Sequence, residues 1–324
     1  MSSMTSTAVT PEYLRIAQAD RRRRLVNKYA LAFAFAAPGL LLFILFVIMP
    51  ISQSFIYSQY DWNGFTTLQD SEFVNFGNFE RLLNHKPFHA ALTHTVVLIA
   101  LSLSVQLPLA LGLALLVGRG SLPGRRFFRM MLFVPYVFSE IITAIIWRYM
   151  FDPTNGLLNV VTRTFLPNAS PIAWLAEPNL VMIAVFMVLT WKYFGFYMIL
   201  YMAALQNISG DLEDAARIDG ATEGQVLRYI TLPLLGPTIR LTIYLAVIGS
   251  IQQFVVVWVM TQGGPLDWSE TLGTYVYKFG ISRNRLGYGS AVAVVLFTIT
   301  LFFSLAYQNF ILRRDYADTR EGRV

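Results

Sequence analysis

The chain has 324 residues, of which 55% are hydrophobic, 15% aromatic and 14% charged; soluble domains carry about 25% charged residues, so a fully water-facing globule is excluded. The net charge of +6 comes from 25 Lys and Arg against 19 Asp and Glu, and the basic residues flank apolar runs, which fits orientation in a membrane rather than nucleic-acid binding. There is no cysteine, which excludes disulfides and thiolate metal sites.

Residues 1–28 form a basic segment ending in Arg21–Arg24 and Lys28. Its stretch Glu12–Lys28 is either a basic helix on an anionic leaflet or a solvated tail obeying the positive-inside rule. The apolar stretch Tyr29–Ile51 is too long for the ~7–15 residues of a signal h-region, so it reads as a retained first span. No charge falls between Lys28 and Asp61, between Arg240 and Asp267, or between Arg285 and Arg313. A helix needs roughly 20 apolar residues to cross a bilayer. Six spans follow, at 29–51, 94–117, 129–150, 180–204, 239–260 and 288–312. The third and fourth carry single charges, Glu140 and Lys192, near the middle. His85, His89 and His94 have spacings that a metal tolerates, but no carboxylate cluster accompanies them; they read as solvated, with no metal site. With the N-terminus inside, 17 of the 25 basic residues lie on cytoplasmic segments and seven outside. The reading is an all-α membrane protein with six transmembrane helices (29–312) and both termini cytoplasmic, 313–324 forming a tail. Neither an internal repeat nor a separate soluble module is visible.

The connection at 209–233 carries most information. Ser209 caps a short helix whose first turns hold Asp211, Glu213 and Asp214, where the helix dipole favours acids. Glu213 and Arg217 have the favourable i,i+4 order. Gly220 stands where a left-handed residue ends a helix. Thr222 and Gln225 match a capping box for a second helix, which Pro233 and Pro237 end before the fifth span. The small face of Ala215, Ala216 and Ala221 lets another surface approach closely.

Glu213-Asp-Ala215-Ala216, then Gly220, then Ile230-Thr-Leu-Pro233 resembles the EAA loop of bacterial ABC importer permeases, with Asp214 in place of the usual Ala. The run Ala216–Ala221 resembles the carbohydrate branch, as do Phe151–Asn159, Gly195–Met198 with Ala204–Gln206, and Thr261–Pro265. The resemblance covers about residues 30–315. It implies a type I importer permease fold and a sugar cargo, most readily a disaccharide or oligosaccharide. It also implies that Glu213, Ala215, Ala216, Asp219 and Gly220 dock on an ATP-binding subunit. The chain lacks a Gly-x-x-x-x-Gly-Lys-Ser/Thr loop, so it is no enzyme by itself. The implied partners are two ATPase subunits that bind ATP and Mg, a second permease, an extracytoplasmic sugar-binding protein and membrane lipid, with no nucleic acid and no cofactor of its own.

Polar groups within a bilayer are costly and usually functional. Glu140 lies eleven residues beyond Arg129, about 16 Å along one continuous helix; Lys192 lies at similar depth in the fourth span. The two either pair or line a wet cavity. Ser250, Gln252 and Gln253 interrupt an apolar run, and hydroxyls and amides suit sugar hydroxyls because they donate and accept. The resemblance to maltose-type permeases implies substrate contacts at Tyr136, Glu140, Lys192, Tyr193, Phe196, Ser250 and Gln253. A polyol phosphate such as glycerol phosphate is the alternative cargo, with Lys192 as its anion partner. A secondary carrier usually spans more often, and an intramembrane enzyme needs a catalytic cluster that the sequence does not contain.

Overall fold

The computed structural model describes residues 11–119, 124–168 and 170–312; the tail 313–324, with Arg313 and Arg314, lies outside the described residues, as does 1–10. The chain divides into two units, Met1–Ile56 and Tyr57–Val324. In the first, α1 (Pro11–Phe43) passes through a π-helical turn at Ile44–Ile48 into α2 (Met49–Tyr57). The backbone is already helical from Pro11, through the basic segment that precedes the first expected span. Between Asn27 and Tyr57 this helix is long and apolar enough to span a membrane.

The second unit opens with a two-stranded hairpin, β1 (Tyr60–Asp61) against β2 (Glu72–Phe73), a small addition to the all-α expectation. Then come α3 (Gly77–Leu83), α4 (Lys86–Leu101), α5 (Leu107–Arg119), α6 (Arg125–Val137), α7 (Glu140–Met150), α8 (Leu157–Phe165) and α9 (Pro178–Gln206). The connection at 209–233 supplies α10 (Gly210–Ile218), α11 (Glu223–Val226) and α12 (Leu232–Leu234). The chain continues as α13 (Gly236–Ile251), α14 (Val255–Thr261), α15 (Leu272–Tyr275) and α16 (Leu286–Tyr307). Among the described residues, Asn27–Tyr57, Lys86–Gly118, Pro178–Gln206 and Leu286–Ile311 are each long and apolar enough to cross a bilayer, and two bent helix pairs raise the number to six if each pair is one span.

Proline shapes these helices. Three π-helical turns, Ile44–Ile48, Ser102–Gln106 and Leu227–Thr231, each end two residues before a proline: Pro50, Pro108 and Pro233. A proline cannot donate to the carbonyl four residues back and its ring crowds that carbonyl; a widened turn relieves the clash without ending the helix.

The third expected span is not one rod. α6 and α7 meet at 100°. Pro135 weakens the end of α6, Phe138 is extended, and Ser139 accepts the amide of Ile142 at 3.2 Å to cap α7. Glu140 therefore opens a helix, where its carboxylate meets the positive end of the dipole, and the 16 Å depth reckoned along one helix does not apply. The fifth span is also interrupted: α13 stops at Ile251, and α14 resumes at Val255.

The centre of the unit is α9. Val181, Ala184, Val188, Met198, Tyr201 and Leu205 are buried along its length. It packs against α5 and α6 most extensively, and against α7, α13 and α14. At Gly195 a Cβ would stand 2.2 Å from the backbone carbonyl oxygen of Leu132, so the α6–α9 crossing needs glycine.

Candidate functional site

Three of these irregularities converge on one cleft of about 330 Å³. The end of α6 supplies Tyr136, the start of α7 Glu140, the middle of α9 Tyr193 and Phe196, and the end of α13 with the following break Ser250 and Gln253. Six of the seven substrate residues expected from sequence thus share a lining. Tyr136 stacks on Phe196 with centroids 4.9 Å apart and planes 18° from parallel. Tyr193 Oη donates to Glu140 Oε1. Gln253 is 7% exposed, and its Nε2 is buried with no hydrogen-bond acceptor. Its backbone carbonyl accepts from Thr271 Oγ1 at 2.8 Å, and Gly273 lies so close that a Cβ there would sit 2.7 Å from the same oxygen. The α13–α14 break is thereby held by the capped turn of α15.

Lys192 is the exception. It does not line the cleft. It is 4% exposed and donates to the carbonyl of Phe138 at 2.6 Å, with the rings of Tyr136 and Tyr193 under its ammonium at 5.9 and 5.4 Å. No direct Glu140–Lys192 ion pair forms among the described residues; Tyr193 touches both. The α6–α7 bend explains this, because it frees the Phe138 carbonyl from any helix and offers it to the lysine.

Ser102, Gln106 and Gln252 also line the cleft and were not singled out beforehand as substrate contacts from span two or, for Gln252, by resemblance. Ser102 Oγ lies 3.5 Å from Ser250 Oγ, and Gln106 Nε2 donates to the Leu189 carbonyl at 3.1 Å. The signal was there: Ser102-x-Ser-x-Gln106 interrupts an apolar run as Ser250–Gln253 does.

The 209–233 connection forms the expected elbow. Ser209 caps α10, Thr222 and Gln225 make a capping box on α11, and Gly220 has φ +88°. The amide of Ala221 donates to the Ala216 carbonyl at 2.9 Å, the long bond of a Schellman ending. Ala215, Asp219 and Gly220 are exposed and Ala216 half-buried. The expected Glu213–Arg217 pair forms, at 3.9 Å, and is joined by further partners. Glu213 is 7% exposed and also accepts from Thr231 Oγ1 at 2.6 Å. Arg217 also clamps the elbow, donating to Asp214 at 2.7 Å and to both oxygens of Glu223 at 2.7 and 3.1 Å. These bonds raise the Arg217 guanidinium above its ordinary value and hold the Glu223 carboxyl below its own. Ile218, 86% exposed, adds an apolar side chain to this surface that sequence reasoning passed over.

Of the three histidines expected to be solvated, His89 is exposed, whereas His85 and His94 are half-buried. His85 Nδ1 is 2.6 Å from Tyr275 Oη, His89 Nε2 2.7 Å from the Leu83 carbonyl and His94 Nδ1 3.1 Å from the Glu270 carbonyl. Burial first, and Arg283 second, lower the His85 pKa.

The profile of the family described as binding-protein-dependent transport system inner membrane component matches residues 106–316. The diacetylchitobiose uptake system permease protein of Streptomyces coelicolor is 34% identical over 295 residues, 88% of this chain and 83% of that protein. The lactose transport system permease protein of Rhizobium radiobacter is 30% identical over 283 residues, 87% of this chain and 93% of that protein. Among solved structures, a bacterial alginate ABC transporter in complex with alginate pentasaccharide-bound periplasmic protein contains a chain that superposes with a TM-score of 0.78 at 22% identity, covering 90% of this chain and 96% of that one.

Proposed function

The chain belongs to the binding-protein-dependent transport system inner membrane component family, and from that membership we propose that it is one permease subunit of an ATP-driven importer of disaccharides or oligosaccharides. It sits in a bacterial cytoplasmic membrane with six spans and both termini inside. A second, different permease completes the pathway, and an extracytoplasmic sugar-binding protein delivers the cargo. Two separate ATPase subunits bind ATP and Mg; this chain contributes no catalysis.

The cleft carries this reading. Tyr136, Glu140, Tyr193, Phe196, Ser250 and Gln253, scattered over more than a hundred residues, line one cavity that combines a stacked aromatic face with a buried amide donor. Aromatic faces suit the apolar faces of a sugar ring, and amides suit its hydroxyls. The elbow at 209–233 supports the coupling role: Ala215, Asp219 and Gly220 are exposed on a surface kept rigid by caps and by Arg217. Purification of the assembled transporter tests the assembly. Two ATPase subunits and a second permease are expected to copurify, and a transport-competent homodimer of this chain would overturn the proposal.

A further inference from the structure

The charges around the cleft are arranged asymmetrically. Of the residues that line it, Glu140 is the ionisable carboxyl, and neither lysine nor arginine is among them. The nearby cation, Lys192, is committed to the Phe138 carbonyl and to two aromatic faces behind the lining. The pair forms a dipole whose negative end faces the cavity. Tyr193 already donates to one Glu140 oxygen, so this carboxylate is arranged as an acceptor. Cargo hydroxyls can donate to it, whereas a cargo carboxylate, sulfonate or phosphate meets like charge, with neither lysine nor arginine among the described lining residues of this chain.

We propose that Glu140 sets the charge class of the cargo: the cleft accepts oligosaccharides without acidic groups and rejects uronates, sulfonates and phosphorylated sugars. This inference rests on the reading of the chain as a sugar permease. At an effective dielectric of about 20, an anionic group roughly 5–9 Å from a carboxylate is disfavoured by roughly 20- to 300-fold. Lys192, roughly 5 Å farther from the cargo, offsets much of that, which leaves a preference of roughly 3- to 15-fold.

The binding protein imposes its own selection upstream, so the test is made on the solubilised, assembled transporter without it. Equilibrium dialysis at millimolar concentration uses two probes of equal length, maltotriose and trigalacturonate. The wild type is expected to retain maltotriose at least about threefold better. Glu140→Gln, which keeps an acceptor for Tyr193, is expected to remove most of that difference, and Glu140→Asp to keep it; gel filtration confirms assembly of each variant. Wild-type retention of trigalacturonate equal to or above that of maltotriose overturns the inference and leaves the sugar reading standing, as does an unchanged ratio in assembled Glu140→Gln. Retention of neither probe, with a peptide or amino acid retained instead, removes the sugar reading and this inference with it.

Discussion

Gly195→Ala tests the crossing on which the cleft is built. In the native chain the added Cβ would lie 2.2 Å from the Leu132 carbonyl oxygen, and 3.1 Å from the Leu132 carbonyl carbon and Phe133 Cα. A carbon and a carbonyl oxygen meet at about 3.3–3.6 Å, so α6 and α9 must part by roughly 1 Å. The obstacle is backbone, which cannot rotate away as a side chain does. Overpacking of this kind costs about 1–3 kcal/mol, and the rigid neighbour places this case toward the upper end. Separation also disturbs the Tyr136–Phe196 stack and the Tyr193–Glu140 hydrogen bond, since each joins α9 to α6 or α7. Gly112→Ala on α5 is the control, because nothing lies within 4 Å of its added Cβ and alanine is the better helix former. Thermal unfolding of the solubilised transporter is expected to show Gly195→Ala less stable and Gly112→Ala neutral or slightly more stable. Equal midpoints for the two variants would refute the backbone contact between α6 and α9.

Gln253→Ala removes the buried donor at the cleft; uptake is expected to fall roughly 2–10-fold, the worth of one hydrogen bond, with assembly unchanged, and normal uptake would dismiss a recognition role. Gly220→Val forces a β-branched residue into a left-handed position at φ +88°, costing roughly 1–2 kcal/mol; membrane insertion is expected to persist while substrate-stimulated ATP hydrolysis is lost, and full coupling would show that the elbow does not dock. Thr231→Val leaves the buried Glu213 carboxylate short of its 2.6 Å donor, at about 1–3 kcal/mol, and hydrogen exchange should accelerate across Gly210–Ile218. The Arg217–Glu223 tie depends on pH in one direction. The folded Glu223 carboxyl is held below its ordinary value by Arg217, so the tie is fully present above the unfolded carboxyl pKa and fades as pH falls through the lower folded one. Exchange in the elbow should therefore be insensitive to pH near neutrality, after correction for intrinsic rates, and should rise only in strong acid; a change between pH 6 and 8 would argue against this tie.

Composition and periodicity sufficed for the membrane class and for the regions that hold the spans, because uncharged runs of this length have no other stable environment. The elbow was also legible: Ser209, Gly220, Thr222 and Gln225 act on backbone groups within a few residues of themselves, so local sequence dictates their geometry. Glu140, Ser250 and Gln253 could be named for a related reason, since a polar side chain in an apolar run stands out wherever it points; Tyr136, Tyr193 and Phe196 came from the family resemblance alone. Where such side chains point was not legible. A proline and a serine turned the third span through 100°, and that bend, with the freed Phe138 carbonyl, separated Lys192 from the cleft that Glu140 faces. Glu213 shows the same limit: spacing on its own helix foretold Arg217, which lies 3.9 Å away, but not the shorter bond from Thr231, eighteen residues on. Local sequence encodes which backbone groups a side chain can satisfy nearby; which of several partners a buried charge takes depends on how helices far apart in sequence cross, and only tertiary packing fixes that.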